Sequence, residues 1–392
     1  MIKRIIFFIV SPFNLWDYQR FGIEILQQND FKVEVWDITP ILLPIFYNSY
    51  TPPDSFDYEG LTLFSKKNEL YSKISVLKNS DFVINIIPYN FESLWIYRAL
   101  SKSETDYAVF MANALPNMHS EKLKIIFCYK KFKKMFKASP KNILNHIFQR
   151  LPFYLFGVKS AKICLAGGEK CLVHYYPTDA NTEVLWAHTL DHDLYLKERN
   201  NPSIERPIAV FIDEYLPFHP DYIVAGIKPC IAPERYYFLL NKFFKLIENQ
   251  LGLEIIIAAH PRSNYENHPN YFEERKCIRG QSVKLIRESK LVLSHSSTAI
   301  NFANLFYKPV IFLTSCELNR SYQGPFIKEM AKRFGKKPIF IDKDNDIDWE
   351  FELTVNKNHY NNYRSDYIKT KHSEDLPFWQ IVANRLKEEF QE

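Results

Sequence analysis

Leu253-Glu254-Ile255-Ile256-Ile257-Ala258-Ala259 is an apolar run that stops at His260-Pro261-Arg262. A second run, Lys290-Leu291-Val292-Leu293, stops at Ser294-His295-Ser296-Ser297-Thr298-Ala299, and a third, Pro309-Val310-Ile311-Phe312-Leu313, follows a helical stretch. Short apolar runs alternating with helices are the pattern of a parallel sheet covered on both faces. In such sheets ligands bind beyond the carboxyl ends of the strands, where this stretch collects an imidazole, a guanidinium and several hydroxyls. A basic side chain beside hydroxyls and a helix N-terminus makes a phosphate site. The stretch points to an enzyme working on a nucleotide-activated substrate.

Outward from it the same alternation continues. A strand is expected at 207–212 and a last one at 338–341, with helices at 234–251, 284–289, 298–307 and 325–334. The first half repeats the theme, with strands at 4–10, 32–37, 82–87, 107–112 and 161–165 and helices at 16–28, 91–101, 123–137 and 142–156. Residues 42–58, rich in Pro and aromatics, read as an irregular loop, and 186–206 as a linker between domains. With 392 residues the chain suits two domains. The expected fold class is α/β: two Rossmann-like doubly wound domains, 1–190 and 207–375, with an interdomain cleft, followed by a C-terminal helix within 376–392.

Composition narrows the chemistry. Gly is only 10 of 392 residues, against an average near 7%, and neither a Walker-type loop nor G-x-G-x-x-G occurs. Six Cys at 128, 164, 171, 230, 277 and 316 form no C-x-x-C pair, which suits a reducing compartment and argues against a zinc ribbon. The run Ile5–Val10 is too short for a signal peptide and ends without a small-residue cleavage site. No apolar run approaches the length of a membrane span. The expectation is a soluble cytoplasmic protein.

The net charge of +5 is unevenly spread, with eight Lys (122, 124, 130, 131, 133, 134, 137, 141) interleaved with apolar residues in 122–141. This segment reads either as a solvated helix face or as a peripheral contact with the anionic inner leaflet of the cytoplasmic membrane. No nucleic-acid recognition motif accompanies it, so no nucleic-acid partner is expected.

Three places carry candidate chemistry. Asp213-Glu214-Tyr215 stands at the exit of 207–212, where like charge and partial burial raise a carboxylate toward neutrality and make a general base. The alternative is that one acid caps a turn. His260 and Arg262 can both donate to a phosphate, and a protonated His260 can act as general acid. Ser296, Ser297 and Thr298 either cap the helix that follows or lend hydroxyls and N–H groups to a phosphate, and the two roles are compatible. His295 reads as a packed residue. Asp17, Arg20, Asn113, His188 and Asp191 are further polar candidates, for which capping or exposure is the simpler reading. The histidines lack the H-E-x-x-H spacing, and no D-x-D motif of the kind that chelates a divalent ion under a sugar-nucleotide pyrophosphate is expected. No metal and no cofactor are expected.

This set resembles a known family. An acidic pair at the first strand of the C-terminal domain, a strand-terminal His-Pro and a later Ser-Ser before a helix resemble the metal-independent bacterial sialyltransferases. Related capsule and O-antigen transferases using CMP-linked 3-deoxy sugars such as Kdo share the pattern, and their two-domain architecture is called GT-B. The resemblance covers roughly 207–315 and implies Asp213 or Glu214 as catalytic carboxylate and His260 on the CMP phosphate. It places Ser296 and Ser297 on that phosphate as well. It departs at Tyr215, where the family has Gly, so which carboxylate is catalytic stays open. The implied partners are a CMP-activated sugar donor and a glycan or lipid-linked glycan acceptor. The competing readings are a UDP- or GDP-sugar transferase or epimerase, a CDP-polyol phosphotransferase, and a non-catalytic glycan-binding protein.

Overall fold

Seven strands of the first half and six of the second each assemble into a parallel sheet whose central strands are buried on both faces. The computed structural model describes residues 2–113, 116, 145, 148–173, 175–344 and 346–388. The segment 122–141, with its eight Lys, and the helix expected at 123–137 lie outside the described residues. By internal contacts the chain divides into two compact units, Met1–Ala187 with Leu376–Glu392, and His188–Asp375.

In the first unit the strands are β1 (Arg4–Ile9), β2 (Lys32–Asp37), β3 (Leu61–Leu63), β4 (Asp81–Asn85), β5 (Asp106–Phe110), β6 (Ile163–Ala166) and β7 (Glu183–Trp186). They lie all-parallel in the order β3-β2-β1-β4-β5-β6-β7. β1 is central, and Ile5, Ile6, Phe7 and Phe8 are wholly buried, each contributing about 2 kcal/mol of apolar burial. The helix expected at 16–28 is broken into Leu15–Arg20 and Ile23–Gln28. The break is Gly22, at φ +54°, where the Trp379 ring packs so closely that a Cβ would meet it at 2.3 Å. Trp379 belongs to the terminal helix Phe378–Glu388, and its Nε1 donates to the Arg20 carbonyl at 2.6 Å.

The second unit holds β8 (Ile208–Ile212), β9 (Glu254–Ala259), β10 (Cys277–Arg279), β11 (Leu291–Ser294), β12 (Val310–Thr314) and β13 (Ile339–Phe340). Their order is β10-β9-β8-β11-β12-β13, again all parallel. This is the Rossmann order 3-2-1-4-5-6, whose direction reverses between β8 and β11. The long helix Pro233–Leu251 starts with Pro in its first turn and buries Tyr236, Leu240, Phe243, Phe244 and Ile247, spaced three and four apart, against the sheet. Gly252 at φ +63° ends it.

Several expectations need correction. The stretch 186–206 is no simple linker: it contains the helix Leu190–Glu198, which Arg287 clamps to the second unit through Glu198 at 3.1 Å. Residues 42–58 hold the short helix Pro44–Ser49, begun by Pro in its first turn. Of the helix expected at 142–156, the part from Phe153–Phe156 is a 3₁₀ turn. Strands β3, β7 and β10 escape sequence reading for one reason. All three are sheet edges, with side chains half or wholly exposed, so no apolar run marks them.

Candidate functional site

The carboxyl ends of β9, β8 and β11 bring the sequence candidates of the second unit together. β8 is buried along its length, and the chain leaves it at Asp213, itself 1% exposed. Asp213 Oδ1 accepts the Tyr215 backbone N–H at 2.9 Å. Its Oδ2 accepts the His260 backbone N–H at 3.3 Å and the Tyr265 hydroxyl at 2.8 Å. The next residue reaches the opposite way. Glu214 Oε1 accepts the Ser296 backbone N–H at 2.5 Å, and the Ser296 hydroxyl donates to Oε2 at 3.3 Å. Two consecutive acids thus tie β8 to both neighbours, Asp213 to the β9 exit and Glu214 to the β11 exit. Because β9 and β11 flank β8, residues 260 and 296 are two strand spacings apart at the backbone, roughly 10 Å.

Burial dominates the electrostatics. It pushes the Asp213 carboxyl up to about 6 against hydrogen bonds that favour the charged form. It pushes Glu214 up to about 7, with the adjacent Asp213 charge adding to the rise and Ser296 opposing it. Both acids therefore titrate near neutrality, as a general acid or base requires.

His260 differs from its sequence reading. Burial, followed by the neighbouring His219 and Arg262, pulls the imidazole down to about 3, so it is neutral at pH 7 and not the imidazolium expected. Its Nδ1 accepts the Arg262 backbone N–H at 3.1 Å, which leaves the ring proton on Nε2 as a donor. The His260 carbonyl accepts both the N–H and the hydroxyl of Ser263, at 2.9 and 2.7 Å, so the turn through Pro261 is held rigidly. Arg262 pairs with Asp221 at 2.8 Å.

The serine segment also departs from expectation. The helix after β11 is only Ile300–Leu305, and Ala299 occupies its N-cap position. Ser296, Ser297 and Thr298 lie in the preceding loop, and none of them caps this helix. Ser296 is buried and held by Glu214, Ser297 Oγ accepts the Ala299 N–H at 3.3 Å, and Thr298 is exposed. Whatever anion affinity resides here comes from individual N–H and hydroxyl groups, because a helix this short has little macrodipole to offer. His295 is packed: Nδ1 donates to the Leu313 carbonyl at 2.8 Å, and Nε2 accepts from Tyr236 at 3.0 Å.

Tyr215 accounts for the departure from an acidic-acidic-Gly triplet. It sits at φ +50°, the left-handed region that Gly enters freely and other residues enter at a cost of roughly 1–2 kcal/mol. Its hydroxyl pairs with His268 Nε2 at 2.6 Å, and its ring packs edge-on against Tyr265. The backbone at this position keeps a glycine-like turn while the side chain joins an aromatic cluster with Phe218, His268 and Tyr265. Sequence reading missed Tyr265 and Tyr237, whose hydroxyls are 3.0 Å apart and continue the chain from Asp213. The available signal was the density of Tyr, Phe and His in 264–272.

The remaining candidates lie elsewhere. Asp17 is buried and pairs with Arg20 at 3.0 Å in the first unit. Asp191 accepts from Asn301 at 2.9 Å, and His188 Nε2 lies 3.7 Å from Asp193. Asp-x-Asp spacings do occur, at 191/193 and through 342–348. There Asp342 accepts the Cys316 N–H and Asp348 caps Phe351. Among the described residues no three His, Cys, Asp or Glu side chains gather as metal ligands. Among the same residues no helix is long and apolar enough to cross a membrane.

No family model matches the chain, and no curated protein matches it in sequence. Solved structures do match in shape. A variant of the wall teichoic acid polymerase TagF soaked with CDPG superposes with a TM-score of 0.53 at 10% identity, covering 100% of this chain and 90% of that one. A putative UDP-N-acetylglucosamine 2-epimerase from Listeria monocytogenes gives 0.50 at 12% identity, covering 100% and 98%. The UDP-GlcNAc 2-epimerase of Methanocaldococcus jannaschii, in complex with UDP-GlcNAc and UDP, gives 0.50 at 13%, covering 99% and 100%. The fold is GT-B. At these identities the likeness is one of architecture, two Rossmann-like α/β units in one chain.

Proposed function

We propose that the second unit binds the phosphate of a nucleotide-activated sugar or polyol, and that the protein is a transferase or epimerase acting on it. The observation that carries this reading is the meeting of three strand exits, where Asp213 holds the His260 backbone and Glu214 holds that of Ser296. In a transfer, an acceptor hydroxyl attacks the electrophilic centre of the donor. One carboxylate of the pair takes the proton, and the bond to the nucleotide breaks. The departing phosphate gathers negative charge, which the Nε2–H of neutral His260 and the hydroxyls of Ser296 and Ser297 receive. The acceptor proposed is a glycan, free or lipid-linked.

A UDP- or CDP-type donor is preferred to a CMP-linked one, because the structural neighbours name UDP-GlcNAc, UDP and CDPG as their ligands. A CMP-linked 3-deoxy sugar is the second reading. It is favoured by Tyr215, whose positive φ is a backbone state open to the Gly of the acidic-acidic-Gly triplet. Thermal unfolding with CMP, CDP, UDP and GDP separates them, since a ligand at 100 times its Kd stabilises by about 2.7 kcal/mol. Stabilisation by UDP or CDP supports the first reading and stabilisation by CMP alone the second. No response to any of the four removes the proposal.

A further inference from the structure

A carboxylate resting on a backbone N–H and a hydroxyl copies the contacts a phosphate oxygen makes. Glu214 does this at the β11 exit, with Oε1 on the Ser296 N–H at 2.5 Å and Oε2 within 3.3 Å of the Ser296 Oγ. The serine assigned to the donor phosphate is therefore already occupied by a carboxyl group of the protein itself. Asp213, by contrast, has its acceptors engaged by Tyr215, His260 and Tyr265, contacts that lock the strand exits and leave it no role as a mobile group. The left-handed Tyr215 follows immediately, pinned through its hydroxyl to His268.

We propose that Glu214 is an internal stand-in for the donor phosphate: it holds Ser296 in the free protein, and the phosphate displaces it, releasing the carboxylate to serve as the catalytic base. Asp213 is then a positioning residue that keeps the β9 exit in register with β8. This rests on the reading of Ser296 as a phosphate ligand and adds an order of events to it.

The experiment compares nucleotide affinity in the wild type, Glu214→Ala and Glu214→Gln, using CDP, UDP and CMP as probes in calorimetry, with inorganic phosphate as a further arm. Removing the stand-in frees the site, so Glu214→Ala is expected to bind the responsive nucleotide about tenfold more tightly or better while losing turnover. Glu214→Gln keeps the shape of the side chain and tests the idea should the alanine variant fail to fold. Its neutral amide holds Ser296 more weakly, so affinity again rises, by less. The ratio between variant and wild type should persist in 1 M salt, where the Debye length is about 3 Å. Equal or weaker binding in both variants overturns the proposal, as does a gain that disappears in high salt, which marks general charge repulsion. If no probe binds any of the three proteins, the phosphate-site reading itself fails, and the stand-in goes with it.

Discussion

The Tyr265 hydroxyl donates to Asp213 Oδ2 at 2.8 Å, and the Tyr237 hydroxyl lies 3.0 Å beyond it. A phenol from the loop after β9 and another from the helix Pro233–Leu251 thereby support a carboxylate at the end of β8. Hydrogen bonds to a carboxylate favour its charged form and partly offset the burial that raises it. Tyr265→Phe removes that support with little change of shape. The variant should lose about 1.5–3 kcal/mol in denaturant unfolding, and any acid limb due to Asp213 should move to higher pH. An unchanged unfolding midpoint would show that the hydroxyl contributes nothing.

The acids and imidazoles of the second unit make opposite demands on pH. Asp213 and Glu214 titrate at about 6 and about 7, above their ordinary 3.8 and 4.5. Their contribution to stability is complete below about pH 4 and lost as pH rises through 6 to 7. His260 and His295, lowered to about 3 and about 4 from 6.5, contribute above pH 6.5 and lose that contribution as pH falls toward those values. Glu214→Gln removes one acid from the first group. It should be more stable than the wild type at pH 8, by on the order of 2 kcal/mol, and close to it at pH 4. Parallel stability curves for the two proteins would refute the raised carboxyl.

Tyr215 allows backbone strain to be separated from side-chain packing. Tyr215→Ala and Tyr215→Gly both lose the ring and its bond to His268, yet only Ala keeps the cost of positive φ. The Gly variant should be more stable than the Ala variant by about 1 kcal/mol, measured by urea unfolding. Both should be less stable than the parent. A Gly variant equal to the Ala variant means that the turn is not strained.

His260→Ala should lower turnover on the responsive nucleotide donor by roughly 100-fold or more. Because the imidazole is already neutral, kcat/KM should show no ionisation near pH 6.5 from this residue. Retention of full turnover in the alanine variant removes His260 from the chemistry. An ionisation near 6.5 that disappears in the variant would contradict the neutral ring.

Chain order and apolar periodicity were enough to place the central strands. β1, β8, β9, β11 and β12 are buried on both faces along nearly their whole length, so their residues are mostly apolar, and the polar residues that end each run mark the strand exits. Asp213, His260 and Ser296 could be picked out for that reason alone. Edge strands β3, β7 and β10 carry no such obligation and stayed hidden, as did the helix inside 186–206. It is held within the second unit by the Glu198–Arg287 ion pair, by Asp191 with Asn301 and by the Tyr195 ring against Phe306.

What the tertiary structure alone decided is the state of those exits. The strand order β9-β8-β11 brings residues 47 and 82 positions apart from their partners into hydrogen-bond contact, and no local pattern encodes that pairing. Burial made His260 neutral and drew both acids toward neutrality, an effect of desolvation by the surrounding fold that residue identity does not carry. The positive φ of Tyr215 is likewise held by His268 and Tyr265, which reach it from a distant loop. Apolar patterning is a local consequence of where water is excluded, and so it is written in sequence. Protonation, hydrogen-bond partners and strain depend on which distant groups that exclusion brings together.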